Sequence, residues 1–175
     1  MNLLFDRFKT KIPGFNPEFK ETLFKKFTDY GASSDDKRNV HGKLYENAYE
    51  LYIYAYFLGL YKNEFVPLSE SIQKVNFNHA IENWGRKGNR LLRKDFSILQ
   101  EFIFSSLIAK SEIDFIALEK NEIDLEKVVK DLIVTFESYT NGGLLIIKKN
   151  YDHNPSTVLK STFLLDLILE AKKIK

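Results

Sequence analysis

The strongest candidate for chemistry in this sequence is a short run of cations. Residues 85–94, GRKGNRLLRK, contain no acid before Asp95, and their basic side chains are Arg86, Lys87, Arg90, Arg93 and Lys94. The last three fall in the predicted first turns of a helix, where positive charge opposes the helix dipole. Backbone amides and cations presented together at a helix start bind anions such as phosphate. The alternative is a solvated turn whose cations pair with the acidic stretch 112–137.

Other residues that could carry chemistry form no catalytic or metal-binding constellation. The histidines are His41, His79 and His153, and only the loose pair of His79 and Glu82 shares one predicted helix. Catalytic metal sites usually need three protein ligands, so we interpret these histidines as surface or core-edge residues. The sequence has no phosphate-binding glycine loop, no nucleophile elbow and no cysteine. We therefore predict no catalytic residue, no cofactor and no metal, and we favour a non-enzymatic protein.

A helix of high aromatic content is expected to organise the chain. Residues 44–61, LYENAYELYIYAYFLGLY, are apolar nearly all round and contain six tyrosines. Such a helix belongs in the interior, with partners on several sides. We interpret the tyrosines as packing residues whose hydroxyls need a polar partner. Two alternatives stay open: a platform for stacking nucleobases, or a tyrosine-lined pocket for a small molecule, with Glu50 and His79 near it.

Length and composition indicate the class of fold. The chain has 175 residues, of which 44% are hydrophobic and 29% charged, with 8 glycines and 4 prolines. Scarce helix breakers and apolar residues spaced three or four apart favour helices over sheets. We predict an all-α fold, a single-domain bundle of six to eight helices over residues 1–175, built around the helix at 44–61. The polar stretch 31–42 is predicted to be a mobile loop.

The remaining helices follow from apolar periodicity and capping signals. They are predicted at residues 18–30, 69–75, 76–84, 91–110, 112–119, 125–140 and 155–173. Ser111 and Asp114 are interpreted as a capping pair for the helix at 112–119, and Asp124 is expected to cap the helix at 125–140. Phe102 is placed on an apolar face. Asn141-Gly142-Gly143 is interpreted as a helix stop, since these residues tolerate the left-handed conformation. Residues 144–147 fit either a strand or a helical turn, and the carboxylates between residues 112 and 137 are assigned to solvent-facing helix surfaces.

Targeting signals are not evident at the N-terminus. Residues 1–15 have only a short apolar run, which Asp6 and Arg7 interrupt, so they do not form a signal peptide. The uninterrupted apolar part of the aromatic helix, residues 51–61, is far shorter than the roughly 20 residues that a bilayer requires. We predict a cytoplasmic protein without a membrane partner.

Three stretches occur in an order that resembles a known family. They are ELYIYAYFLGLYKNEFVPL at residues 50–68, FIAL at 115–118 and FESYTNGGLLII at 136–147. Together they are similar to small accessory proteins encoded beside bacterial DNA phosphorothioation (Dnd-type) modification and restriction genes. The likeness spans residues 45–147 and is most specific at Tyr139, Asn141, Gly142, Gly143 and Leu144. It implies a bacterial cytoplasmic protein that assists a DNA-modification or phage-defence assembly, and it implies no catalytic residue.

These observations favour a non-enzymatic accessory module that contacts DNA or a protein partner through the basic run. A second cationic group would extend this surface if the fold brought it near: Lys148, Lys149, Lys172, Lys173 and Lys175. The alternative function is a small-molecule-binding protein or enzyme with the tyrosine-lined pocket. A third hypothesis is a homo-oligomer formed through an exposed apolar face such as residues 158–168.

Overall fold

The chain is mostly helical, as predicted. The computed structural model describes residues 2–30, 44–45, 47–69, 71–85, 96–156, 160 and 162–169. Within these ranges there are seven α-helices and one two-stranded sheet. The predicted mobile loop at residues 31–42 lies outside the described residues. Contacts divide the chain into a first unit, Met1–Gly14 with Asn76–Phe136, and a second unit, Phe15–Val75 with Glu137–Lys175. The single domain that we predicted stays a prediction.

The first unit is assembled from short and medium helices. It contains α1 (Asn2–Lys9), a 3-10 turn (Ile81–Asn83), α4 (Ser97–Ala109), α5 (Phe115–Glu119) and the first part of α6, which runs in all from Leu125 to His153. Asp114 Oδ1 accepts from the amides of Ile116 and Ala117, and Asp124 Oδ1 accepts from that of Glu126. The predicted N-cap at Asp124 is therefore confirmed. The capping pair predicted at Ser111 and Asp114 is wrong, because Asp114 itself caps a helix that begins at Phe115, and the Ser111 hydroxyl donates to the Ile108 carbonyl.

Aromatic rings form the core of the first unit. The Phe8 ring lies 5.6 Å from that of Phe104 and 6.2 Å from that of Phe136, and the Trp84 ring lies 6.1 Å from that of Phe136. The buried Gln100 amide satisfies the turn beside them by donating to the carbonyl oxygens of Ile81 and Trp84. Burial of such large apolar side chains is the main stabilising contribution that this unit can make.

The second unit is built around the aromatic helix. Its elements are a π-helical turn (Lys20–Phe24) continued by α2 (Lys25–Phe27), α3 (Ala48–Lys62), the remainder of α6, and α7 (Phe163–Leu169). Helix α3 corresponds to the predicted helix at 44–61. It begins with a capping box, in which Asn47 and Glu50 bind each other's backbone amides. Its buried residues face several directions, as a nearly all-apolar helix requires, and they are Ala48, Leu51, Tyr52, Ile53, Ala55, Tyr56, Leu58 and Gly59.

The helix stop predicted at Asn141-Gly142-Gly143 is wrong, because α6 continues through it to His153. These glycines serve close packing instead. A Cβ added to Gly143 would overlap the carbonyl oxygen of Ala55 in α3, and a Cβ added to Gly59 would overlap that of Tyr139. Glycine is needed at both positions since the two helix backbones meet there directly. Residues 144–147, which were ambiguous from sequence, are helical.

Several other boundaries differ from the predictions. Described residues 71–74 are not helical, and β2 (Val75–Asn76), which pairs with β1 (Gly14–Phe15), occupies the start of the helix predicted at 76–84. Only the 3-10 turn remains of that helix. The last helix begins in the described residues at Phe163 and not at Pro155. Phe102, expected on an apolar face, is 62% exposed.

The described helices do not have the character of membrane spans. Over the ranges given above, none combines the length and the apolar character that crossing a bilayer would require.

Candidate functional site

The basic run, residues 86–94, is not positioned by the structure. Its candidate anion-binding residues all lie outside the described ranges, and they are Arg86, Lys87, Arg90, Arg93 and Lys94. The described chain stops at Gly85 and resumes at Phe96, immediately before α4. The prediction of an anion site there therefore stays a prediction.

Part of the acidic stretch that could neutralise those cations is engaged elsewhere. The Glu126 carboxylate accepts from Lys11 Nζ at 2.6 Å and from Arg7 Nε at 2.7 Å. Hydrogen bonds from Lys11 and Arg7 lower the pKa of Glu126. This carboxylate also lies in the first turn of α6, where the helix dipole favours negative charge. Glu126 thus ties α1 to the start of α6.

The second predicted cationic group is only partly described. Lys148 binds Asp152 at 2.7 Å and lies 3.5 Å from a Glu18 oxygen, and the hydrogen bond with Asp152 raises its pKa. Its charge is therefore balanced within the second unit. Lys149 is exposed, while residues 172–175 fall outside the described chain.

Most tyrosines of residues 44–61 are buried or half-buried, as packing residues are, whereas Tyr61 is 50% exposed. Tyr52 and Tyr56 have no solvent exposure, and Tyr45 and Tyr54 are half-buried. Burial raises the pKa of Tyr52; the nearby Glu137 raises it further, while a hydrogen bond with Thr140 lowers it. The hydroxyl of Tyr52 thus has the polar partner that a buried phenol needs. The tyrosine-lined pocket stays a prediction, and solvent does not reach Tyr52 or Tyr56 in this conformation.

A buried carboxylate in α6 was missed from sequence. Glu137 was assigned to a solvent-facing surface, yet it is only 4% exposed. Lys74 Nζ binds its two oxygens at 2.7 and 2.9 Å, which compensates the charge. The signal that could have revealed it is the stretch that follows, since residues 138–144 carry no charge and are buried on every side of the helix.

Asn141, one helical turn beyond this carboxylate, has one unsatisfied atom. Its Nδ2 donates to the Val66 carbonyl at 3.0 Å, and the Val66 amide donates to the Ser138 carbonyl at 3.1 Å. The Oδ1 atom of Asn141 is buried and accepts no hydrogen bond from the described protein atoms. An acceptor in that position is commonly satisfied by an ordered water.

The first unit contains a small surface pocket beside α5. Its volume is about 220 Å³. Its wall is apolar at Ile113, Ile123, Val128 and Leu132, and its polar lining is formed by Ser111, Glu112, Asp114, Lys127, Asp131 and Thr135. The volume is smaller than the roughly 300 Å³ at which small-molecule sites begin. A single long side chain is a better match to its size.

Ligand and family signals are sparse. In the described part of the chain, no group of three or more histidine, cysteine, aspartate or glutamate side chains could hold a metal ion. Comparison with protein-family models, curated proteins and solved structures found no match to this chain. Functional inference therefore depends on the residues themselves.

Proposed function

We propose that this chain is a non-enzymatic binding module that contacts DNA through residues 86–94. The observation that carries the proposal is the sequence of that run, which places five cations within nine residues and no acid among them. Each phosphate that such cations neutralise releases counterions, so affinity falls steeply with salt. Two carboxylates of the acidic stretch 112–137 are engaged elsewhere, since Glu126 binds Arg7 and Lys11, and Glu137 binds Lys74.

The assembly that the module serves is inferred from the resemblance at residues 45–147. We infer an accessory of a bacterial DNA-modification or phage-defence system, acting in the cytoplasm. The stretch 139–144, the most specific part of the likeness, contains Gly143, through which α6 packs on α3. Close packing of α6 on α3 is thus a physical reason for this part of the likeness. The rest of the proposal depends on the basic run.

A protein partner is the second candidate, and exposed apolar residues on α4 favour it. Ile98 is 67% exposed and Phe102 is 62% exposed, one helical turn apart. Helix α4 follows the basic run directly in sequence. An apolar stripe of this kind can contribute to a contact that begins with electrostatic attraction by the run.

The test is DNA binding by charge-reversed variants. Fluorescence anisotropy with a labelled duplex at low salt should show binding by the wild type, and replacement of Arg86, Arg90 and Arg93 by glutamate should abolish it. Each phosphate that a single-site variant no longer neutralises should flatten the salt slope by about 0.9. The matched control reverses three exposed lysines elsewhere, Lys120, Lys127 and Lys130. Absence of wild-type binding at low salt, or an equal decrease in the control, would reject the DNA proposal.

The assembly is tested separately. Co-purification of the tagged chain from its native host should recover proteins that modify or cleave DNA. Recovery of the chain alone, together with normal modification of host DNA after deletion of its gene, would reject this part of the proposal.

A further inference from the structure

Helix α5 exposes an apolar sequence. Residues Phe115–Leu118, FIAL, are uncharged, yet no residue of α5 is buried. Phe115 is 42% exposed and Ile116 is 68% exposed. The N-cap of α5, Asp114, accepts from two amides of the first turn, and Ala117 and Leu118 are half-buried. Neighbouring apolar residues left open in this way mark surfaces that contact another molecule.

The pocket described above lies at the start of this helix, because Asp114 lines it. Its floor is closed by Val128 and Leu132, which are buried, while the carboxylates of Glu112 and Asp131 belong to exposed residues at its rim. Within the described ranges, neither of these two carboxylates forms an ion pair. The pocket therefore combines an apolar interior with a rim of negative charge.

That combination selects a particular kind of occupant. Lysine and arginine side chains have an apolar stem and a cationic head, so the stem suits the floor and the head suits the rim. The three carboxylates that line the pocket outnumber its single cation, Lys127, although the chain as a whole has a net charge of +2. Acidic peptides and nucleic acids are disfavoured at this rim for the same reason.

We propose that the pocket and α5 form a docking surface for a basic, amphipathic segment of a partner protein. One arginine or lysine of that segment enters the pocket between Glu112 and Asp131. Apolar residues of the segment cover Phe115 and Ile116. This surface is separate from the basic run, and it attracts the opposite charge.

The test uses a short fluorescein-labelled peptide rich in arginine and leucine, with a control peptide in which glutamate replaces arginine. Wild-type protein should bind only the basic peptide. Asp131→Lys should weaken binding by roughly fivefold, the upper range for one exposed ion pair, and Lys127→Glu should strengthen it. Glu101→Lys, an exposed position on α4 outside the pocket, is the matched control and should have no effect.

The apolar contact on α5 is tested by a second variant with its own control. Ile116→Ser should weaken binding roughly tenfold, which corresponds to partial burial of one isoleucine. Leu3→Ser removes a similarly exposed apolar residue, 65% exposed, from α1 and should change nothing. Because all these positions are exposed, folding should persist, and circular dichroism checks it. Asp114 is left unchanged since it caps α5.

Several results would overturn the proposal. They are absence of binding, equal binding of both peptides, and equal effects of Asp131→Lys and Glu101→Lys. Self-association that Ile116→Ser abolishes, seen in sedimentation without peptide binding, would identify a second copy as the occupant and would also overturn it. Asp131→Lys should not weaken DNA binding, so failure of this proposal and failure of the DNA proposal are distinguishable.

Discussion

Replacing Gly143 by alanine tests the contact on which the second unit is built. Three backbone atoms of Ala55 lie within 3.0 Å of the position that the new Cβ would occupy. Those atoms belong to a helix backbone, so no side-chain rotation can relieve the overlap. The variant must either move α3 away from α6 or distort one of the two helices.

Two effects of opposite sign determine the size of the change. Alanine in a helix interior is more favourable than glycine by about 1 kcal/mol. Overpacking a tight interior costs typically about 1–3 kcal/mol, and occasionally more. Because the overlap here is with backbone, we take the upper part of that range or beyond it. The expected net loss is about 2 kcal/mol, which lowers Tm by roughly 4–8 °C in a chain of this size.

The assay is thermal unfolding followed by circular dichroism, with urea unfolding as a second probe. Ser105→Ala on α4 is the control, since Ser105 is exposed and the change alters helix propensity without a clash. It should raise stability by a few tenths of a kcal/mol. An unchanged or higher Tm for Gly143→Ala would refute the backbone contact, because only the propensity gain would then remain.

Two further predictions concern the polar residues near this contact. Lys74→Met leaves the Glu137 carboxylate buried without its cation. We expect the free energy of unfolding, measured in urea, to decrease by about 1–3 kcal/mol. A urea midpoint no lower than that of the control variant Lys149→Met would contradict the ion pair. At alkaline pH, Tyr45, Tyr52 and Tyr54 should stay neutral while unfolded phenols ionise near pH 10, because burial raises the pKa of each of them. The contribution of these rings to stability should be complete below roughly pH 10 and be lost above it. Phenolate absorbance equivalent to all nine tyrosines, seen before the loss of helical dichroism, would contradict this prediction.

Apolar periodicity and capping signals predicted the start of α6 and the approximate bounds of α3. Helix α6 begins where Asp124 and the spacing from Leu125 indicate, and α3 lies within a few residues of its expected bounds. The end of α6 could not be predicted from local signals, since Asn-Gly-Gly suits a helix terminus and a close helix crossing equally well. Continued apolar spacing at Leu144 and Ile147 was the better indicator, because both residues are fully buried in the same helix.

The candidate site was harder to predict for a different reason. Charge clusters are visible in sequence, but their partners depend on the tertiary fold. Glu137 and Lys74 are 63 residues apart, and nothing local to either residue indicates the pair. The same holds for the pocket beside α5, whose two carboxylates at the rim come from a connection and from the solvent-facing side of α6.

Burial in the second unit restricts where a partner can bind. Tyr52 and Tyr56 are inaccessible, and Glu137 is nearly so. Any reaction at these side chains would require α3 to separate from α6, and the direct contact of their backbones at Gly143 makes that separation costly. The exposed residues of α4 and α5, by contrast, can be covered without unpacking a core. Recognition on the surface therefore needs the smaller rearrangement, which supports the proposal that this chain acts through its surface.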